Sequence, residues 1–204
     1  MARFWDFKGR PFASIVGSRE APEDALSVLR DVGEAYCDRG IAITSGDADG
    51  CDLAGYEGAM RSPNFELVGA RIYLPWNRMR YEGRPDRVAD NYIFFDASKF
   101  DNHEQAQAIA FEARGSFEGL KRGGIMLHSR NPYQILLDDL KTPVAACVCW
   151  AKPIGKTGRV SGGTNTAVQV AIKYKVPVIN LATDEGMQRA LRFVQRVREW
   201  KTAK

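Results

Sequence analysis

Apolar residues fall into two alternating rhythms along the chain. Short continuous apolar runs occur at residues 12–16, 41–44, 70–74, 144–150 and 176–180. Between them, apolar positions recur at helical spacing, most clearly Ala25, Val28, Leu29, Val32, Ala35 and Tyr36. Pro22 suits the first turn of that helix and Gly40 its exit. Further helices are expected at about 52–60, 103–121, 135–140, 164–174 and 185–200. Strands that read as unbroken apolar runs belong to a parallel sheet covered on both faces. The pattern predicts an α/β fold: one doubly wound Rossmann-like domain over residues 1–204, with a mostly parallel sheet. Residues 76–124 fit it least well and are read as an insertion.

Composition narrows the class without naming a task. No apolar stretch approaches the roughly 18 residues of a membrane span. The N-terminal MARFWDFKGRPF is too polar for a signal-peptide core, so the protein is expected in the cytoplasm with no membrane partner. The four cysteines show no C-x-x-C spacing, and only two histidines accompany them. Buried thiols, with no metal and no cofactor, are therefore the expectation. The net charge of +4 suits an anionic ligand but selects none. Much of it lies on the last helix, at Arg189, Arg192, Arg196, Arg198 and Lys201, as on a solvated face.

The chemistry concentrates in loops that follow strands. Gly17-Ser18-Arg19 follows the first strand, and Ser45-Gly46-Asp47-Ala48-Asp49-Gly50 follows the second. Ser161-Gly162-Gly163-Thr164-Asn165-Thr166 opens the helix after the long strand. In an open parallel sheet these strand ends share one edge, where ligands bind at the reversal of strand order. Gly162 and Gly163 would admit a phosphate to backbone N–H groups, with Thr164, Thr166 and the helix dipole assisting. Arg19 offers a forked cation, and Asp47, Asp49 and Asp52 are acceptors for sugar hydroxyls. Plain helix capping by Asp49, Asp52, Thr164 or Thr166, and a surface ion pair for Arg19, remain open alternatives.

At these residues the sequence resembles the SLOG superfamily of Rossmann-like nucleotide-binding domains, which includes Smf/DprA, LOG and YpsA/YspA-like proteins. The matching pieces run from Val16 to Arg19, from Ser45 to Ala54, through Arg130-Asn131, and from Gly162 to Thr166. Leu74-Pro75-Trp76 and Arg130-Asn131 look most like the YspA-type branch, and the 45–52 loop also looks like the DprA type. The resemblance implies a cleft for a nucleotide or nucleotide-derived small molecule, lined by Gly17, Ser18, Arg19, Ser45, Gly46, Asp47, Asp52, Trp76, Arg130, Asn131, Gly162, Gly163, Thr164, Asn165, Thr166 and Gln169.

LOG enzymes carry a glutamate three residues after the threonine matched by Thr166, and here that position is Gln169. Glutamine cannot act as a base or as an anionic stabiliser, which argues for sensing or sequestration over N-glycosidic hydrolysis. If bonds are broken, Asp47, Asp49 and Glu57 are the candidate carboxylates. The alternative is a DprA-like protein that binds single-stranded DNA in recombination. The segment Trp76, Arg78, Arg80, Tyr81 and Arg84 would then stack and neutralise bases and phosphates. His128 reads either as a proton donor near the cleft or as a structural histidine. Relatives are often oligomeric, and Ala106, Ala110, Phe111 and Phe117 are the candidate homo-oligomer surface, or equally packing on their own sheet.

Overall fold

The computed structural model describes residue 9 and residues 11–77 and 93–203. Six strands form one parallel sheet: β1 (Phe12–Gly17), β2 (Ala42–Ser45), β3 (Ala70–Leu74), β4 (Phe94–Asp96), β5 (Cys147–Trp150) and β8 (Val178–Asn180). Their order across the sheet is β4-β3-β2-β1-β5-β8. The chain first steps outward from β1 to β4, then returns to the other side of β1 with β5. The reversal lies between β1 and β5, and the crevice of a doubly wound sheet opens there. The fold class read from the apolar runs is the observed one.

Two helical layers cover the sheet. One face carries α1 (Glu23–Asp38), α2 (Cys51–Arg61), the short α3 (Phe65–Val68) and α8 (Asp184–Thr202). The other carries α4 (His103–Arg114), α5 (Arg122–Ser129), α6 (Asn131–Leu136) and α7 (Thr164–Lys173). Central strands contribute residues closed to solvent on both sides: Ala13, Ile15, Ile43, Ile72, Cys147 and Cys149 are all buried. That two-sided burial is why these strands read as continuous rather than alternating. Each fully buried aliphatic side chain contributes about 1.5–3 kcal/mol.

Several boundaries differ from the sequence reading. The helix expected over 103–121 ends at Arg114, where Gly115 turns left-handed at φ 94°. A further helix, α5, begins at Arg122 and runs to Ser129. The helix expected at 135–140 is α6, which starts four residues earlier and stops where Leu137 adopts φ 57°. The strand expected over 144–150 is regular only from Cys147, although Ala145 and Ala146 already exchange backbone hydrogen bonds with β1. The loop expected at 151–163 contains an antiparallel hairpin, β6 (Pro153–Ile154) with β7 (Arg159–Val160). Ala106 and Ala110 are fully buried in their own fold, while Phe111 is exposed, so only part of the expected oligomer surface faces outward. Arg78, Arg80, Tyr81 and Arg84 lie outside the described residues. Among the described residues no helix is long and apolar enough to cross a membrane. All four cysteines are free and buried.

Candidate functional site

A cleft of about 450 Å³ opens at the β1/β5 reversal. The loop after β1 lines it with Gly17, Ser18, Arg19 and Glu20, and the loop after β2 lines it with Ala48. Leu127, His128, Arg130, Asn131 and Gln134 come from α5 and α6. Ser161, Gly162, Gly163, Thr164 and Ala167 come from the start of α7. Loops separated by more than a hundred residues thus share one concavity, as the strand-end argument expected.

Asp52, in the first turn of α2, joins two of these loops. Its Oδ1 accepts from the Gly17 N–H at 3.1 Å, and its Oδ2 accepts from Gly46 and Ala48 N–H at 3.2 and 3.3 Å. The Arg130 guanidinium stands 3.7 Å from Oδ2. Burial outweighs these partners and pushes the carboxyl up to about 6. Asp52 is therefore engaged with the backbone, not poised for a sugar hydroxyl, and it does not cap its own helix, whose N-cap is Gly50.

Arg130 ends α5 and begins α6, so its side chain is directed by two helices at once. It is 6% exposed, donates to the carbonyls of Gly46 and Tyr73, and supplies the cleft floor with positive charge. A Cβ on Gly46 would come within 3.0 Å of both Arg130 and Gln134, so only glycine admits these two side chains together. Gln134 was not singled out from the sequence. It is 1% exposed, lines the cleft, and its Nε2 meets no acceptor among the described residues.

The start of α7 forms a cradle. Gly162 holds φ 72°, a left-handed turn that brings the chain into the helix. The N–H groups of Asn165 and Thr166 bond back to Gly162 and Gly163, whereas those of Gly162, Gly163 and Thr164 have no acceptor among the described residues. The Asn131 Nδ2 donates to the Gly163 carbonyl at 3.3 Å and fixes this loop to α6. Arg19 is exposed at the cleft and has no ion-pair partner among the described residues. Beyond the cradle the β6–β7 hairpin exposes Lys152, Lys156 and Arg159, and it is tied to the loop by the Ser161 N–H on the Lys152 carbonyl.

Other residues named from the sequence lie outside the cleft lining. Thr166 is fully buried and its hydroxyl lies 2.8 Å from the His128 Nδ1. Asn165 accepts from the Val160 N–H, and Gln169 donates to the Gly158 carbonyl in the turn of the hairpin. The Ser45 hydroxyl donates to the Ile15 carbonyl. Asp47 is buried at φ 59°, Asp49 stands in the turn before α2, and Glu57 pairs with Arg30 at 3.2 Å. Trp76 packs beside Gly123, at the entry to α5. His128 does line the cleft. Burial, then Arg114 and Arg130, lower its imidazole to about 4, so it is neutral at pH 7. Among the described residues no cluster of His, Cys, Asp and Glu is built to hold a metal.

The family model of DNA recombination-mediator protein A matches residues 5–72, which span the first two strand-end loops. The chain is similar to a structure of DNA processing protein A from Helicobacter pylori, described for its single-stranded DNA binding mode. Identity is 14%, the match covers 97% of this chain and 83% of that one, and the TM-score is 0.57. A looser likeness, at 18% identity and TM-score 0.44, joins 88% of this chain to 80% of the Chlamydomonas rheinhardtii Moco carrier protein. No curated protein sequence matches the chain. The family match over the first third covers the loops at residues 16–19 and 45–54 and supports the SLOG-type, DprA-like resemblance they carry, and the shared fold extends over the whole chain.

Proposed function

We propose that the protein binds single-stranded DNA, seating one nucleotide of the strand in the cleft with its phosphate on the α7 cradle. The observation that carries this reading is the trio of N–H groups at Gly162, Gly163 and Thr164, which have no acceptor among the described residues and lead into a ten-residue helix beside Arg19, which has no ion-pair partner among the described residues. Helix N-termini with open amides favour phosphate through both hydrogen bonds and the dipole. The exposed Lys152, Lys156 and Arg159 next to the cradle supply charge for a strand that continues past the cleft. The partial match to DNA recombination-mediator protein A favours a strand as the ligand.

A nucleotide-derived small molecule is the second reading, and the cleft favours it by its size: about 450 Å³ holds little more than one nucleotide. Under either reading binding is favoured over cleavage. Asp47, Asp49 and Glu57 stand outside the lining, Gln169 is occupied by the hairpin, and the lining's buried carboxylate, Asp52, is held by three amides.

Salt dependence separates the two ligands. A strand of ~20 nucleotides should lose about 0.7 log units of affinity per log unit of salt for each phosphate neutralised, whereas a mononucleotide gives a shallow slope. Gly163→Asp probes the cradle itself. Gly163 sits at φ −64°, a conformation open to any residue, and no atom lies closer than 3.9 Å to its added Cβ, so the variant should fold. Its carboxylate should abolish binding of either ligand. Undiminished binding by the folded variant would remove the cradle from the function.

A further inference from the structure

Resting on that reading, the geometry points to a second subsite at the floor of the cleft, where the side chain of Gln134 hydrogen-bonds the base of the seated nucleotide. Gln134 combines two properties that a structural residue rarely combines. It is 1% exposed in the middle of α6, and its amide NH2 has no acceptor among the described residues. A buried amide left without a partner is costly, and native structures contain few of them. The surrounding fold is otherwise built around this side chain. Gly46 lacks the Cβ that would displace it, and the Thr44 hydroxyl fixes the main chain at this position by donating to the Gln134 backbone carbonyl at 2.5 Å.

The neighbours determine what the amide can do. The Arg130 guanidinium abuts Gly46 from the same side as the Gln134 Nε2, which sets two donors against each other. Half a turn about the last side-chain torsion exchanges the two amide atoms, so that the oxygen meets the guanidinium and the NH2 takes the side away from it, on a residue that lines the cleft. The floor then offers a hydrogen-bond donor to a ligand atom. Asn131, one helical turn earlier, also lines the cleft, and its own NH2 is held by the Gly163 carbonyl. That bond orients Asn131 and ties the wall bearing Gln134 to the phosphate cradle. With phosphate held at Gly162–Thr164, Val16, Ala48, Leu127 and Ala167 give the otherwise polar lining an apolar component on which a base face can rest. A ring nitrogen or carbonyl on the edge of a nucleobase supplies the acceptor that the amide lacks.

The test compares ligands that differ only in the base. Nucleoside 5′-monophosphates and ribose 5-phosphate are titrated against the wild type, Gln134→Met and Gln134→Glu. Methionine keeps the volume without hydrogen bonding, and glutamate keeps the shape without the donor. The expected result is a loss of about five- to tenfold in affinity for the nucleotides in both variants, with ribose 5-phosphate unchanged. A ~20-mer of abasic sites should bind all three proteins alike, while a normal 20-mer should lose affinity in the variants. The ligand-free Gln134→Met protein should unfold at a urea concentration no lower than the wild type, because the orphaned donor is gone. Equal loss for nucleotides and ribose 5-phosphate, or no loss for either, overturns the base subsite while leaving the cradle standing. Absence of binding by the wild type to every ligand in the panel overturns both.

Discussion

Substituting Asp52 in two ways asks whether its charge or its shape holds the cleft together. Asp52→Ala removes the acceptor for the Gly17, Gly46 and Ala48 N–H groups and the carboxylate that stands 3.7 Å from the Arg130 guanidinium. Breaking a buried pair from one side costs about 3–5 kcal/mol, and water entering the small hole offsets little of it. Asp52→Asn is different. An amide oxygen on the Oδ2 side keeps Gly46 and Ala48, and the bond to Gly17 is lost, for about 1 kcal/mol.

Against that loss stands the charge itself. The folded protein holds the carboxyl near 6, above its ordinary 3.8, so at pH 7 burial works against the ionised form by about 3 kcal/mol, at about 1.4 kcal/mol for each pH unit of displacement. That difference already contains the attraction to Arg130. Asp52→Asn should therefore be about 2 kcal/mol more stable than the wild type at pH 7, measured by urea titration. Because the folded pKa is raised, the folded state takes up the proton first. The wild type should gain about 1 kcal/mol on Asp52→Asn between pH 7 and pH 5, with the gain saturating below 3.8. If the asparagine variant is as damaged as the alanine one at pH 7, the charge on Asp52 is what holds the loops, and the reasoning from burial fails.

His128 should act in the opposite direction. Its folded pKa of about 4 lies below the ordinary 6.5, so its stabilisation is present above pH 6.5 and is lost as pH falls through 4; His128→Gln should flatten that part of the stability profile, measured by thermal unfolding across pH. Gly46→Ala should cost about 2–3 kcal/mol in urea unfolding and weaken binding with it, because the new methyl displaces Gln134 and Arg130; an unchanged midpoint would show that the floor yields easily.

The convergence of strand-end loops was legible because it depends on topology, which continuous apolar runs reveal. Gly17, Ser18, Arg19, Asp52, Arg130, Asn131, Gly162, Gly163 and Thr164 all line the cleft. What the sequence left out depends on helix phase and helix ends. Thr164 and Ala167 face the cleft from α7, while Asn165, Thr166 and Gln169 point to its other partners, and a one-residue shift in the start of that helix would exchange these roles. Gln134 was missed because α6 was expected at 135–140, which left it outside any element. Its signal, a polar residue amid Tyr133, Ile135 and Leu136, is visible only once that stretch is known to be buried. The raised carboxyl of Asp52 and the lowered imidazole of His128 arise from burial, which no local motif encodes.

The Asp52 bracket also bears on how such a cleft can diversify. One carboxylate holds amides from two loops that are some thirty residues apart in the chain, so an insertion or a bulky residue in either loop disturbs both. The cradle side is held differently, by separate bonds from Asn131, His128 and the hairpin strand, and the hairpin's residues 152–159 are all exposed. Length and charge can change there without disturbing the sheet. In proteins built on this plan, new ligand preferences should arise by remodelling the hairpin and cradle, with the β1 and β2 loops remaining the fixed jaw against which the variable one works.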